Sequence, residues 1–421
     1  NKVMWTGFLI PFMINSWNSI HNYIYFFPTI DFTESIGLFN NQLVLPINLS
    51  FPLLGFGYLL SLEVSFSLWL FFLISRIQNL INAMFGIDVA GNTTLPGTHQ
   101  MFGALFVLVL FGLWMARGHL KDVVRKAFTG DPSVDDSNEC LSYRLAVIGG
   151  GLGLLFLLGW LMMIGMAWWL AIFLLGLVLI IYIGFARIVA EGGVIFAETL
   201  NPQDFMIHGF TGPFLGPRNL VSIGLTKFWM THTRTLIMPS MANSLKLADS
   251  ARIKNQRRLT VAMGLAVIGS LAGSIYAVMY LAYEYGGINL NWHFFGELQQ
   301  NRFNYYAATI NATSDPTGRW FFFGMGGGIM WLLMIMRQTF IWWPLHFIGF
   351  PVGASAPLAA GWFSIFMAWM LKGLILKYGG VNIYRAMLPF FLGLILGEFV
   401  SAGLWVIIDG LTGITGHVIF N

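Results

Sequence analysis

Stretches without Asp, Glu, Lys or Arg recur along this chain, and several reach the length of about 20 residues that a helix needs to cross a bilayer. The first lies between Lys2 and Asp31. A helix is expected there near Val3 to Ile20, and Tyr23, Tyr25, Phe26 and Phe27 behind it suit a membrane interface. From Leu49 to Ala83 the run is too long for one ordinary span, is broken by Pro52, Gly55 and Gly57, and carries Glu63. It reads as one long kinked helix or as a half-helix followed by a full one. Thr98 to Ala116 is a clean span, and Arg117 to Lys126 has the amphipathic pattern of a short helix lying on the membrane surface. No charged residue occurs between Arg144 and Arg187, which is enough for two spans turning near Met166 and Ala167.

Beyond that hairpin, Arg187 to Arg258 mixes short helical patterns with turn signals at Asn201-Pro202, Gly212-Pro213, Gly216-Pro217 and Met238-Pro239. A span follows from Leu259 to Ala282, then a polar, aromatic loop from Tyr283 to Arg319 and a short span from Trp320 to Met336. A proline- and glycine-rich return between Trp342 and Ala359 suits a re-entrant segment, and spans at Ala356 to Leu376 and Met387 to Ile408 complete the set. The pattern predicts an all-α polytopic bundle of about nine to ten transmembrane helices, some broken or re-entrant, in a single membrane domain over residues 1–421.

Composition agrees. Hydrophobic residues make up 57% of the chain and charged ones 10%, and a mean hydropathy of +0.72 leaves more apolar surface than a water-soluble fold can hide. The excess of Lys plus Arg over Asp plus Glu, 22 against 18, is small and reads as membrane orientation, so no nucleic-acid partner is expected. Fourteen of the 22 basic residues fall in Arg117 to Arg144 and Arg187 to Arg258, on either side of the uncharged hairpin. The positive-inside rule makes residues 117–143 and 187–258 cytoplasmic loops. One cysteine, Cys140, excludes an intrachain disulfide and a cysteine-based metal cluster. The chain begins at Asn1 rather than Met, so its true N-terminus is expected to lie upstream.

An ionisable group at bilayer depth costs at least about 2.5 kcal/mol and normally faces a cavity or a partner. Glu63, behind the broken stretch Gly55 to Leu62, is a candidate proton or cation site; alternatively it opens a helix near the interface. Glu398 lies in an otherwise apolar helix beside closely spaced small residues, either as a working carboxyl or as the structural partner of Lys372 or Arg337. Arg187 and Glu191 are four apart on one helical face ahead of Gly192 and Gly193, and frame a solute entrance or form a plain pair. Arg218 and Asn219, presented by the Gly-Pro turns, suit a carboxylate, with Arg234 adding a donor nearby. The glycine run Gly324 to Gly328 sits inside an apolar helix and is no phosphate loop. No motif for zinc, haem or nucleophilic hydrolysis occurs, so neither a catalytic residue, a metal nor a cofactor is expected.

Five stretches form a recognisable set: Gly55-Phe-Gly-Tyr-Leu-Leu with Ser65 to Trp69, Arg187 to Gly192, Leu215 to Leu220, Trp342-Trp-Pro-Leu-His346, and Leu388 to Glu398. Together they resemble a bacterial family of multi-span membrane proteins of unknown function, itself distantly similar to the oligopeptide transporter superfamily. The resemblance covers nearly the whole chain and implies an N-terminal set of spans ahead of Asn1 and an acidic residue, usually aspartate, at position 63. It also implies pseudo-symmetric halves with re-entrant hairpins and proton-coupled carriage of peptides or metal chelates, although no substrate motif carries over residue by residue.

The function expected is secondary transport of a small solute in a bacterial cytoplasmic membrane. Glu63, Glu191 or Glu398 would be the proton site, and Arg187, Arg218 or Arg234 the anion contacts. The competing class is a non-transporting structural subunit of a larger membrane assembly, homo-oligomeric or with other partners, which a load of 39 Phe and 16 Trp would suit. An intramembrane enzyme acting on lipid is the weakest class.

Overall fold

The computed structural model describes residues 1–88, 92, 94–137, 139–194, 198, 201–227, 236–252, 256–310 and 317–414, the side chains of 256, 298, 299, 302 and 317 aside. In chain order the elements begin with α1 (Lys2–Ile20), β1 (Thr33–Leu38), β2 (Leu43–Asn48), α2 (Phe51–Leu59), α3 (Leu62–Phe85) and α4 (Leu95–Met115). There follow α5 (Arg117–Thr129), α6 (Tyr143–Met163), α7 (Trp168–Gly192), α8 (Pro202–Phe210), α9 (Gly212–Thr226) and α10 (Ile237–Ser250). The chain closes with α11 (Gln256–Tyr285), α12 (Leu298–Thr309), α13 (Thr317–Thr339), α14 (Ala356–Leu374) and α15 (Gly380–Thr412). Among the described residues seven helical stretches are long and apolar enough to cross a membrane, and the last, 57 residues from Ala356 to Thr412, holds both α14 and α15. The protein is therefore an integral membrane protein with an all-α polytopic architecture, one short hairpin excepted.

Internal contacts divide it into two compact units, Asn1–Ala104 with Glu191–Thr199 and Met325–Asn421, and Leu105–Ala190 with Leu200–Gly324. In the first, α1 lies parallel to α15 along its length. Glycines set the distance: Gly7 rests on the Phe390 carbonyl, Gly393 on that of Met4, and Gly397 on that of Phe8 and the Pro11 ring. A Cβ at any of the three would collide with backbone, so close packing of the pair requires glycine there. Farther along, Trp405 Nε1 donates to Ser16 Oγ (3.3 Å) and the Tyr23 hydroxyl to Asp409 Oδ1 (2.8 Å).

The long apolar region after Leu49 resolves as a half-helix followed by a full one. At the junction Leu60 and Ser61 are extended, and the Ser61 hydroxyl accepts the Val64 N–H at 3.3 Å to start α3. A second interruption precedes α14, where Phe347–Val352 forms a 3-10 turn pinned by the His346 N–H donating to Ser67 Oγ at 2.7 Å. The β1–β2 hairpin had no counterpart in the hydropathy pattern. Its register runs from Thr33 opposite Asn48 to Leu38 opposite Leu43, and Phe39, Asn40 and Asn41 turn it with positive φ. It is fastened to α14 by Trp362 Nε1 donating to the Pro46 carbonyl (2.6 Å) and by Ser364, whose hydroxyl takes the Ser50 N–H (2.8 Å) and donates to the Asn48 carbonyl (2.9 Å).

In the second unit α6 and α7 form the expected hairpin, turning at Gly165 with φ +107°. The short helical patterns expected between Arg187 and Arg258 include α8, α9 and α10: Phe205, Met206, Ile207, Leu215, Leu220 and Ile223 are buried, and Lys227 pairs with Asp204 at 2.7 Å. The expected loop from Tyr283 to Arg319 is a correction. It holds α12 and short tighter and wider turns, and Tyr306 of α12 is buried against Gly224 of α9. Low apolar periodicity in Leu298 to Thr309 hid that helix, whose contacts lie in distant sequence.

Replacing Gly397 by leucine should lower stability by about 1–3 kcal/mol through overpacking of α1 against α15. Gly403→Leu, on the same helix with open space around it, should change it by less than about 0.5 kcal/mol. Thermal unfolding of the purified protein compares the two, and equal effects would contradict the packing described.

Candidate functional site

The residue after Gly397 is Glu398, so the glycine contact that seats α15 on α1 also holds this carboxylate at the seam. Glu398 is 9% exposed, within a stretch otherwise free of charge from Met387 to Ile408. It lines a cavity of about 80 Å³ closed by α1, the approach to β1 and the end of β2. Asn15, Asn18 and Ser19 of α1, with Asn22 just beyond it, recur at helical spacing on the wall, joined by Thr33, Asn48 and Ser50. The lining is mainly amide and hydroxyl, an unusual composition beside a membrane-spanning helix.

These groups divide into fastened and open ones. Asn18 is fastened, its oxygen accepting the Ile30 N–H at 2.8 Å and its nitrogen donating to the Ile30 carbonyl at 2.9 Å. His21 bonds the Phe27 carbonyl at 2.7 Å, and Trp17 Nε1 donates to the Pro28 carbonyl at 2.9 Å, so the connection over the cavity is held in three places. Asn15 reaches toward Glu398 from α1, yet Glu398 Oε2 and Asn15 Nδ2 are both buried without a hydrogen-bond partner. A buried polar atom left in that condition costs about 1–3 kcal/mol, and more when charged.

Glu398 does not take either basic partner open to it. Arg337, in the last turn of α13, pairs with Glu63 in the first turn of α3 at 2.6 Å, with each charge at the favourable end of its helix. Lys372 is 7% exposed and donates to the carbonyls of Tyr58 (3.1 Å) and Leu60 (2.5 Å), the groups that the break between α2 and α3 sets free. Its ammonium also lies 5.0 Å from the Tyr384 ring and 5.9 Å from that of Tyr58, which itself stacks on Phe391 at 3.7 Å. Glu63 thus stands in the first turn of α3 with Arg337 as its partner.

The model of DUF6785, a family of unknown function, matches residues 1–421. The chain belongs to the DUF6785 family. No curated protein and no solved structure matches it.

The other candidates of the DUF6785 chain are dispersed. Arg187 donates to the Leu108 carbonyl at 3.2 Å beside Gly112, tying α7 to α4. Glu191 is exposed near the end of α7. Asn219 fastens α9 to the α6–α7 turn, accepting the Ala167 N–H at 2.9 Å and donating to the Leu215 carbonyl at 2.8 Å. Arg218 is exposed and lies over Gly165. Arg234 lies outside the described residues. Among the described candidates, Glu398 faces a cavity together with other polar groups. Its companions on α1 were missed, although Asn15, Asn18, Ser19 and Asn22 form a polar stripe that period 3.6 would have revealed.

Two substitutions separate the fixed charges. Lys372→Met should cost about 1–3 kcal/mol, since it leaves the Tyr58 and Leu60 carbonyls without a donor. Glu63→Gln, at a half-exposed pair, should cost less than about 1 kcal/mol. Unfolding in detergent measures both, and a larger loss for Glu63→Gln would reverse the assignment.

Proposed function

We propose that this chain is a secondary transporter of a small solute, peptide-like or a metal chelate, driven by a proton gradient, with Glu398 taking up and releasing the proton. The observation that carries the reading is the Glu398 carboxyl, nine-tenths buried in a membrane-spanning stretch and facing a polar cavity, with no cationic side chain paired to it among the described residues. A carboxylate retained at such depth for structure alone should have a cationic partner. The two interruptions, before α3 and before α14, add support, because non-helical backbone at membrane depth is tolerated only where protein or a water-filled cavity covers it, and carriers use such breaks for binding. The resemblance to oligopeptide transporters read from the sequence implies the same class of solute. The basic loops 117–143 and 187–258 then face the cytoplasm of a bacterial cell.

A second reading, a non-transporting subunit of a larger assembly, is favoured by α6 and α11. None of the apolar window of α11 and 6% of that of α6 are buried within the chain, and Gly149, Gly150, Gly151 and Gly153 of α6 have open space around them. Such small-residue faces suit a neighbouring helix as well as lipid.

Uptake into proteoliposomes with an inward proton gradient and a pooled library of peptides and metal chelates tests the first reading. Gradient-dependent uptake should be abolished by Glu398→Gln and retained by Glu63→Gln. No uptake by correctly inserted protein would move the conclusion to the assembly subunit.

A further inference from the structure

We infer that the Glu398 cavity is a binding site for one small monovalent cation, an alkali ion or ammonium, which exchanges with the proton on the carboxylate. The inference rests on reading Glu398 as the working carboxyl, but binding is measured without a gradient and stands or falls apart from transport.

Three observations select the ligand. The first is charge. One carboxylate faces the cavity, and among the described residues no cationic side chain pairs with it, since Arg337 is held by Glu63 and Lys372 by the Tyr58 and Leu60 carbonyls. A single positive charge neutralises the site; a divalent ion would leave a net charge in a low-dielectric region. Divalent sites use more carboxylates or a cluster of His and Cys, and no such group occurs among the described residues.

The second is donor chemistry. Asn15, Ser19 and Asn22, on one stripe along and just beyond α1, bring amide and hydroxyl groups to the cavity that Glu398 lines, and Ser50, ahead of α2, adds a further hydroxyl. Amide and hydroxyl oxygens suit hard cations, and the Asn15 amide, whose Nδ2 has no partner, can present its oxygen to the cavity by a flip of its terminal torsion. The third is size. A cavity of about 80 Å³ has room for roughly five water-sized particles, hence for a cation with part of its hydration shell and not for a peptide. The transported solute must bind elsewhere.

Exchange with the proton follows because both require the same carboxylate oxygens. Among the described residues no other titratable side chain lines the cavity. Of the groups on surrounding elements, His21 is held by Phe27, Tyr23 binds Asp409, and Asp31 and Glu34 lie around β1, all outside the lining. Once pH falls below the carboxyl pKa, the apparent cation affinity should weaken about tenfold per pH unit.

The test uses the purified full chain in nanodiscs. Binding of radioactive sodium, and thermal stabilisation by NaCl, KCl and NH4Cl, are measured from pH 5 to 9, with N-methylglucamine chloride holding ionic strength constant. At least one of the three ions should stabilise saturably, more weakly as pH falls, and Glu398→Gln should abolish the effect. Ser19→Ala and Asn15→Leu should weaken it, whereas Glu63→Gln should not. If Glu398→Gln does not fold, the pH dependence in the native chain and the Ser19→Ala shift decide. Absence of any saturable effect over N-methylglucamine, an effect unchanged in Glu398→Gln, or stabilisation by Mg2+ or Ca2+ alone would overturn the inference. Ion binding without uptake would retain the site and remove the transport reading; uptake without ion binding would do the reverse.

Discussion

Hydrocarbon offers no hydrogen bond, so every polar atom kept at bilayer depth must find its partner inside the protein or in water that the protein admits. Much of the first unit is arranged around that constraint. The break between α2 and α3 frees carbonyls, and Lys372 reaches them from α14 with two hydrogen bonds and two aromatic rings around its ammonium. The end of β2 frees a carbonyl and the start of α2 an N–H, and the single hydroxyl of Ser364 serves both. The hairpin connection is held by the side chains of Trp17, Asn18 and His21. Glu398 and Asn15 are among the buried polar groups of this unit that keep an atom without a hydrogen-bond partner.

Close helix packing places that pair. Gly7, Gly393 and Gly397 let α1 and α15 approach until backbone meets backbone, and this brings the polar stripe of α1 level with Glu398. Had larger residues stood at the contact, the carboxylate would face lipid, at a cost the fold could not bear. The same packing fixes the cavity's dimensions. A rigid glycine seam and a fastened hairpin cover together define a space suited to an ion and a few waters, which separates the carboxylate's role from that of any larger solute site.

How much of this could be read in the sequence follows from where each signal lies. The α6–α7 hairpin and the broken region at Pro52 to Gly57 were legible because length, charge-free runs and helix breakers are local properties. The β1–β2 hairpin was not: β1 is wholly exposed and carries no alternation to detect, and its Asn40-Asn41 turn stood between segments judged for helices. Helix α12 was hidden for a related reason, its sequence Leu298 to Thr309 being nearly as polar as a loop while Tyr306 inserts into a neighbour. For the site, Glu398 was legible as an acid in an apolar run. Its surroundings were not, since whether an acid is paired depends on distant residues: Glu63 also follows an apolar, broken stretch, and its partner Arg337 stands 274 positions away.

The central claim is that water reaches a polar cavity beside Glu398 at the seam of α1 and α15. Accessibility of introduced cysteines tests it most directly, after the single native Cys140 is replaced. Asn15→Cys, on the cavity wall, and Val400→Cys, on the outer face of α15, are exposed in intact membranes to a small, charged methanethiosulfonate reagent. Fast reaction at position 15 with little at 400 is the outcome expected of a water-filled cavity; equal inertness at both positions would show the seam to be dry and contradict the account.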